Sequence, residues 1–425
     1  MKRMSYAKLA LATVAAGGLA ATAVPAYAAT PAGTFTYQVH PIAVKAHFGS
    51  SPAALPNGPA QCLASTAGEF ACQTPDSIRA AYNIPATING EPAGTGQTIV
   101  IVDAFGSPTA ASDLATFSTE FGLQQADLSI YYPGGKPTWN GRGTQLGWAQ
   151  ETSLDIQWAH AVAPGAKIAL VVAANDHGSS LDNAVRFAVD KKLGNVLSMS
   201  YGAPENLIHG NNAQQAQAHK TFAKAAAQGM SVFASSADAG SDNGAGYENF
   251  SLPAADPLVT AVGGTDLWAG SGLALPRETV WGDYDACQTT CDDGPLGATG
   301  GAPSLFTAKA GSDVSYNAGV YTGVLTYLGM MGDGNNGFYF FGGTSAGSPQ
   351  WAGIAADLDQ ATGSKIGSVN RYAESWAGSH LLYDVTEGAN TTPTFSGGYS
   401  ATTGWDAPTG WGTPDVRAII GSMAK

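Results

Sequence analysis

From residue 97 onward the apolar positions alternate between two rhythms. "QTIVIVDA" (97–104), "KIALVVAAN" (167–175), "NVLSMSYG" (195–202), "MSVFASSAD" (230–238) and "LVTAVGG" (258–264) are short, nearly continuous apolar runs. Runs of this length between turn-forming residues predict buried strands. "PTAASDLATFSTEFG" (108–122), "TQLGWAQETSLDIQWAHAVAPGA" (144–166), "SLDNAVRFAVDKK" (180–192) and "AQAHKTFAKAAAQG" (216–229) space their apolar residues helically, and Pro164-Gly165 stops the second of these. Apolar strands alternating with helices predict an α/β fold: a parallel sheet covered by helices on both faces. Between about 265 and 340 the pattern becomes Gly-rich loops and short strands, and no internal repeat is evident.

Upstream of that pattern the chain changes character twice. Residues 29–75 are rich in Ala, Pro, Gly and Ser without sustained periodicity and read as a short leader or arm. Residues 1–28 carry Lys2, Arg3 and Lys8, then an apolar run, then Ala26-Tyr27-Ala28, the layout of a secretion signal cut after Ala28. The run is short of the ~20 strongly apolar residues of a membrane anchor. The expected mature protein is soluble and secreted, with one large domain over 76–425.

Composition narrows the partners. The chain is 44% hydrophobic and carries a net charge of −13. Without the signal, 16 basic groups face 32 acidic ones. Such a surface argues against nucleic acid and anionic membranes. The four cysteines fall as two local pairs, Cys62 with Cys72 and Cys287 with Cys291, and export permits disulfides.

Candidate chemistry gathers where strands end, which in such sheets is where sites form. Ser345 stands in "GGTSAGSPQWAG" (342–353), a small-residue turn that opens an apolar helix. Asp238 ends the run 230–238. Glu151 and Asp155, four apart on a predicted helix, face the same way among Trp148, Leu154, Ile156, Trp158 and Val162. Taken alone the pair could be a solvated acidic face, and Asp238 a turn-forming residue in a Gly-rich loop. Two carboxyls in such apolar company would instead share a proton, with one pKa raised. The histidines are His40, His47, His160, His177, His209, His219 and His380, and none takes the position of Glu151 on the helix that ends in "AVAPGA".

"WAQETSLDIQ", "SMSYG", "ASSADAGSDNG", "LPAADPLVTAVGGT", "GGAPSLF", "GGTSAGSPQWAGI" and "DVTEG…TTGWDAPTGWGTPD" follow one another in this order. In these segments, over roughly 76–425, the chain resembles the sedolisin (serine-carboxyl) peptidases, a branch of the subtilisin fold in which an acid replaces the helix histidine. The resemblance implies a serine-type endopeptidase acting on polypeptides in acid. Ser345 would be the nucleophile, Glu151 its base, Asp155 the partner of Glu151, and Asp238 the oxyanion donor. It further implies peptide pairing along Ser200-Tyr201-Gly202 and along Ser235-Ser236-Ala237. A structural calcium would take carboxylates of Asp384 and Asp406 and carbonyls of Val385, Thr402 and Gly404.

Three departures accompany the likeness. Thr402 stands where the family pattern has glycine. Residues 29–75 are too short for the family's large prosegment. Asp103, where a subtilisin has its triad aspartate, has no histidine partner and reads as structural or supporting. A catalytically silent secreted binding protein is the competing reading, but it would tolerate loss of Ser345, Glu151, Asp155 or Asp238, and all four are present. A monomer is expected.

Overall fold

The computed structural model describes residues 35–39, 42–48, 55–208, 212–282, 297–305, 307–332 and 334–423. The signal segment, Cys287, Cys291, His40 and His209 lie outside them.

In chain order the strands longer than two residues are β1 (Ile42–Lys45), β2 (Thr98–Ala104), β3 (Asp127–Tyr131), β4 (Lys167–Ala173), β5 (Val196–Met199), β6 (Ser231–Ser235), β7 (Thr260–Leu267), β8 (Glu278–Val280), β9 (Val314–Asn317), β10 (Val324–Leu328) and β11 (Gly337–Gly342). The helices used below are α1 (Pro59–Ser65), α2 (Pro75–Ala81), α3 (Ala110–Glu120), α4 (Thr144–Val162), α5 (Gly178–Lys191), α6 (Asn212–Ala227) and α7 (Gly347–Thr362). The main sheet runs β8-β7-β6-β5-β2-β4-β3, with β9 also paired to β7. Its pairings are parallel except β7 with β8. The five apolar runs are five of its strands, so the expected α/β architecture holds.

Strand periodicity explains the two layers. On β2, Ile99 and Ile101 join the core with Leu154, Trp158 and Val162 of α4 and with Trp351 and Ile354 of α7. Val100, Val102 and Ala104 face the other way, into a core with Leu181 and Val185 of α5 and Phe222 of α6. Asp103 therefore shares the α4 face, directly after two isoleucines. On that face α4 and α7 cross closely at Gly353, where an added Cβ would stand 2.8 Å from the Val162 Cβ.

The N-terminal arm is built into the fold. β1 pairs antiparallel with β11, from Ile42 opposite Gly342 to Lys45 opposite Tyr339, and β11 pairs in turn with β10. Cys62 on α1 is bonded to Cys72, and Phe70 stacks on Phe340 with ring centres 4.4 Å apart. A strand of four residues without its own helix has too little pattern to be seen in sequence. Among the described residues no helix is long and apolar enough to cross a membrane.

Candidate active site

The four expected residues meet where two parallel strands end beside the end of β11, which belongs to the separate antiparallel sheet. β5 runs into Ser200-Tyr201-Gly202, β6 into Ser236-Ala237-Asp238, and β11 into a single 3-10 turn, Thr344–Ala346, that opens α7. A cleft of about 220 Å³ is lined there by Ser200, Tyr201, Gly202, Ala237, Asp238 and Ser345, with no histidine among its described lining residues.

Ser345 is 6% exposed. Its Oγ donates to the Ser200 carbonyl at 3.2 Å, and the Ser200 hydroxyl donates back to the Ser345 carbonyl at 3.2 Å. One turn on, Ser198 and Ser348 share a hydroxyl contact of 2.8 Å, so β5 and α7 are tied beside the site.

Glu151 and Asp155 project from α4 towards this turn and are fully buried. None of their carboxyl oxygens closes a well-formed hydrogen bond. Loss of water raises the pKa of Glu151 well above the usual range. The facing Ser345 hydroxyl eases it down, and Asp103 and Asp238 push it up again. Asp155 is raised well above its ordinary value for the same first reason, reinforced by Asp103 and Glu151 and eased by the Ser200 hydroxyl. Burial lifts Asp103 to about 7, against the lowering effect of the Thr152 hydroxyl. Three buried carboxyls thus form one acid cluster beneath the serine, and at mildly acidic pH they hold protons among them.

Asp238 is placed by Thr344, a residue the sequence reasoning had not singled out. Its Oδ1 accepts from the Thr344 backbone N–H at 2.8 Å and from the Thr344 hydroxyl at 2.7 Å. Its Oδ2 lies over Gly343, where a Cβ would stand 2.8 Å away. Gly343 also has φ 109°, so the position needs glycine twice over. Neighbouring Ala237, at φ 100°, holds a conformation that alanine rarely adopts, the kind of strain that gathers at working sites.

The two expected peptide edges fare differently. Tyr201 is buried, while Gly202 presents its backbone to the cleft. Ser236 is fully buried and gives its N–H to Val262 at 3.0 Å, while Ser235 and Ala237 on either side of it line the cleft. His160, on α4 like Glu151, turns its Nε2 to the Gln124 carbonyl at 2.8 Å, and burial lowers its pKa to about 4.

Of the five residues expected to hold calcium, two are joined to the expected carboxylates by backbone hydrogen bonds in the C-terminal loop. The Gly404 N–H reaches Asp384 at 2.9 Å, and the Thr402 N–H reaches Asp406 at 3.1 Å. Burial first, then the charge of Asp384, raises the Asp406 pKa against hydrogen bonds from Thr409 and Thr402. Two acids close enough for one charge to raise the other's pKa, in one loop, offer the hard oxygen chemistry that calcium takes. Among the described residues no three His, Cys, Asp or Glu side chains cluster as a metal site, so carbonyls must complete such a shell.

The chain is similar to several known proteins. The subtilase family matches residues 143–377. The chain is 33% identical to kumamolisin of Bacillus sp. (strain MN-32) over 346 residues, 75% of this chain and 57% of that protein. It is 31% identical to sedolisin of Pseudomonas sp. (strain 101) over 343 residues, 74% of this chain and 55% of that protein. It thus spans little more than half the length of these curated relatives. The structure of Pseudomonas sedolisin, a serine-carboxyl proteinase complexed with two molecules of pseudo-iodotyrostatin, superposes with a TM-score of 0.70 at 27% identity, over 82% of this chain and 97% of that one. Fervidolysin from Fervidobacterium pennivorans, at 16% identity and a TM-score of 0.51 over 91% of this chain and 51% of that one, shares the fold.

Proposed function

This chain belongs to the subtilase family, on its sedolisin branch, and from that premise we propose that it is a secreted serine-carboxyl endopeptidase working in acid. The observation that carries the reading is the buried acid cluster of Asp103, Glu151 and Asp155 under Ser345, in a cleft whose described lining holds no histidine.

Ser345 Oγ attacks the carbonyl carbon of a bound peptide while its proton passes to Glu151. Asp155 holds Glu151 in place and shares its proton. The developing oxyanion accepts from protonated Asp238, on the oxygen that Thr344 does not occupy, and from the Ser345 backbone N–H. As the C–N bond breaks, Glu151 returns the proton to the leaving amine. Water then hydrolyses the Ser345 ester by the same route in reverse. Burial favours this chemistry because a raised pKa makes ionised Glu151 a stronger base for the serine proton, while Asp155 beside it keeps its own. Calcium, held by Asp384, Val385, Thr402, Gly404 and Asp406, would supply structural cross-linking of the C-terminal loop and no step of the reaction. The N-terminal 28 residues would direct export.

The test is incubation of the purified protein with a denatured protein at acid and neutral pH, with mass spectrometry of the fragments and Ser345→Ala as control. New peptides in acid, absent from the control, are expected. Cleavage confined to neutral or alkaline pH, or equal cleavage by the control, would overturn the proposal.

A further inference from the structure

Asn390 opens an Asn-Thr-Thr triplet, the pattern of a glycan acceptor on an exposed loop. The fold puts it elsewhere: Asn390 is fully buried. Its Nδ2 donates to the Gly301 carbonyl at 3.0 Å and to the Gly300 carbonyl at 3.3 Å. Its Oδ1 accepts from the Tyr399 N–H at 2.8 Å, and its own N–H donates to the Tyr399 carbonyl at 3.0 Å. A buried amide bonded at both ends is a clamp, here between the C-terminal loop and residues 298–301.

Those residues hold the turn that carries Asp238. The Gly300 N–H donates to the Ala237 carbonyl at 2.7 Å and the Ala298 N–H to the Asp238 carbonyl at 3.1 Å. The Gly240 N–H donates in turn to the Ala298 carbonyl at 3.0 Å. The two backbones lie so close that a Cβ on Gly300 would collide with the Ser236 carbonyl oxygen. The C-terminal loop also touches the turn directly, since a Cβ on Gly240 would stand 2.8 Å from the Asn390 carbonyl oxygen.

Ala237, at φ 100°, sits in the middle of this contact. Such a conformation persists only where surrounding contacts over-determine it. Thr344 supplies one set of contacts, through a hydroxyl that meets both the Ala237 N–H and Asp238. Residues 298–301 supply the other, and Asn390 ties them in place. We propose that Asn390 is a positioning residue for Asp238: by clamping Gly300 and Gly301 it keeps the strained Ala237–Asp238 turn aimed at the oxyanion. The proposal rests on the peptidase reading for the role of Asp238.

Asn390→Ser removes both donors, whereas Asn390→Asp keeps the size and the acceptor for Tyr399 and removes the amide donors alone. Hydrogen exchange on the full chain carrying Ser345→Ala reads the clamp without turnover. Amides in 236–240 and 298–301 should exchange faster in either variant, while those of β2 and β4 keep the parent's rate. In the Ser345 form kcat should fall about 10-fold with KM nearly unchanged, because misplacing a transition-state donor costs rate rather than binding. Added to Asp238→Ala, the same change should cost almost nothing further, since the group it positions is gone. An asparagine that serves the fold alone would subtract the same factor in both backgrounds. Unchanged exchange in 236–240, a loss carried by KM, or an equal loss with and without Asp238 overturns the proposal. The two readings fail separately. Faster exchange in a chain whose parent cleaves no peptide sinks the peptidase reading alone, and a cleaving parent whose kcat survives both Asn390 variants sinks this one alone.

Discussion

Thr344 gives both its backbone N–H and its hydroxyl to one oxygen of Asp238, at 2.8 and 2.7 Å. That leaves a single orientation for the carboxyl, with its other oxygen over Gly343 at the turn that carries Ser345. Thr344→Val keeps the shape and the backbone bond and removes the hydroxyl. Because Asp238 is assigned to the transition state rather than to peptide binding, kcat should fall about 10-fold with KM nearly unchanged. Thr344→Ser should restore most of it. A rise in KM alone would place Thr344 among binding residues instead.

Ser345→Ala deletes one hydroxyl whose hydrogen bond, to the Ser200 carbonyl, is long at 3.2 Å. The melting temperature should stay within a degree or two, while turnover drops by several orders of magnitude. Calorimetry and a peptide assay on the same sample check both. Residual turnover near that of the parent would remove Ser345 from the chemistry.

Much of this was legible because its signals are local. β2, β4, β5, β6 and β7 are apolar runs buried on both faces, and Glu151 and Asp155 are four apart on a helix otherwise apolar, so spacing alone aims them together. Long-range features left no such trace. Whether Ser236 keeps a free edge depends on Val262, taken up only when β6 pairs with β7. β1 exists because β11 offers it a partner some 300 residues away, and nothing in "IAVK" announces that. The role of Thr344 follows from its bond to Asp238, 106 residues distant. In each case the structure is made by a contact rather than by a propensity.

Chelation should separate stability from chemistry. If calcium binds the native C-terminal loop alone, a hundredfold excess over its dissociation constant adds roughly 3 kcal/mol. A strong chelator should therefore lower the melting temperature and open residues 384–406 to proteolysis. Asp406→Ala should mimic it, although it also removes the acceptor of the Thr409 and Thr402 bonds. Asp384→Ala is the cleaner variant. A melting curve indifferent to the chelator in the parent protein would mean that the loop is closed by its own hydrogen bonds.

The acid cluster makes pH act on stability and on turnover together. Burial raises the pKa of Asp103 to about 7, and that of Glu151 and Asp155 well above their ordinary values. The unfolded chain releases the same protons near pH 4. Below that pH both states are protonated and the contribution to stability is whole. Between about pH 4 and pH 7 the native state binds more protons than the unfolded one, so stability falls as pH rises. This is the reverse of the behaviour of a salt-bridged carboxylate. The calcium-loaded protein should melt several degrees lower at pH 7 than at pH 4. Asp103→Asn, neutral throughout, should flatten the decline by its share. Turnover should trace a bell in acid, because Glu151 and Asp155 must together have lost one proton to accept from Ser345, while Asp238 must keep its own. Asp238→Asn retains a donor that needs no proton. It should be slower than the parent at the optimum, yet decline less steeply on the alkaline side. Melting curves and kcat/KM profiles on one chromogenic peptide, over the same buffers, check all of this. A parent protein that grows more stable from pH 4 to pH 7, or cleaves best near pH 8, would show its cluster ionised in the native state, and the carboxyl mechanism would go with it.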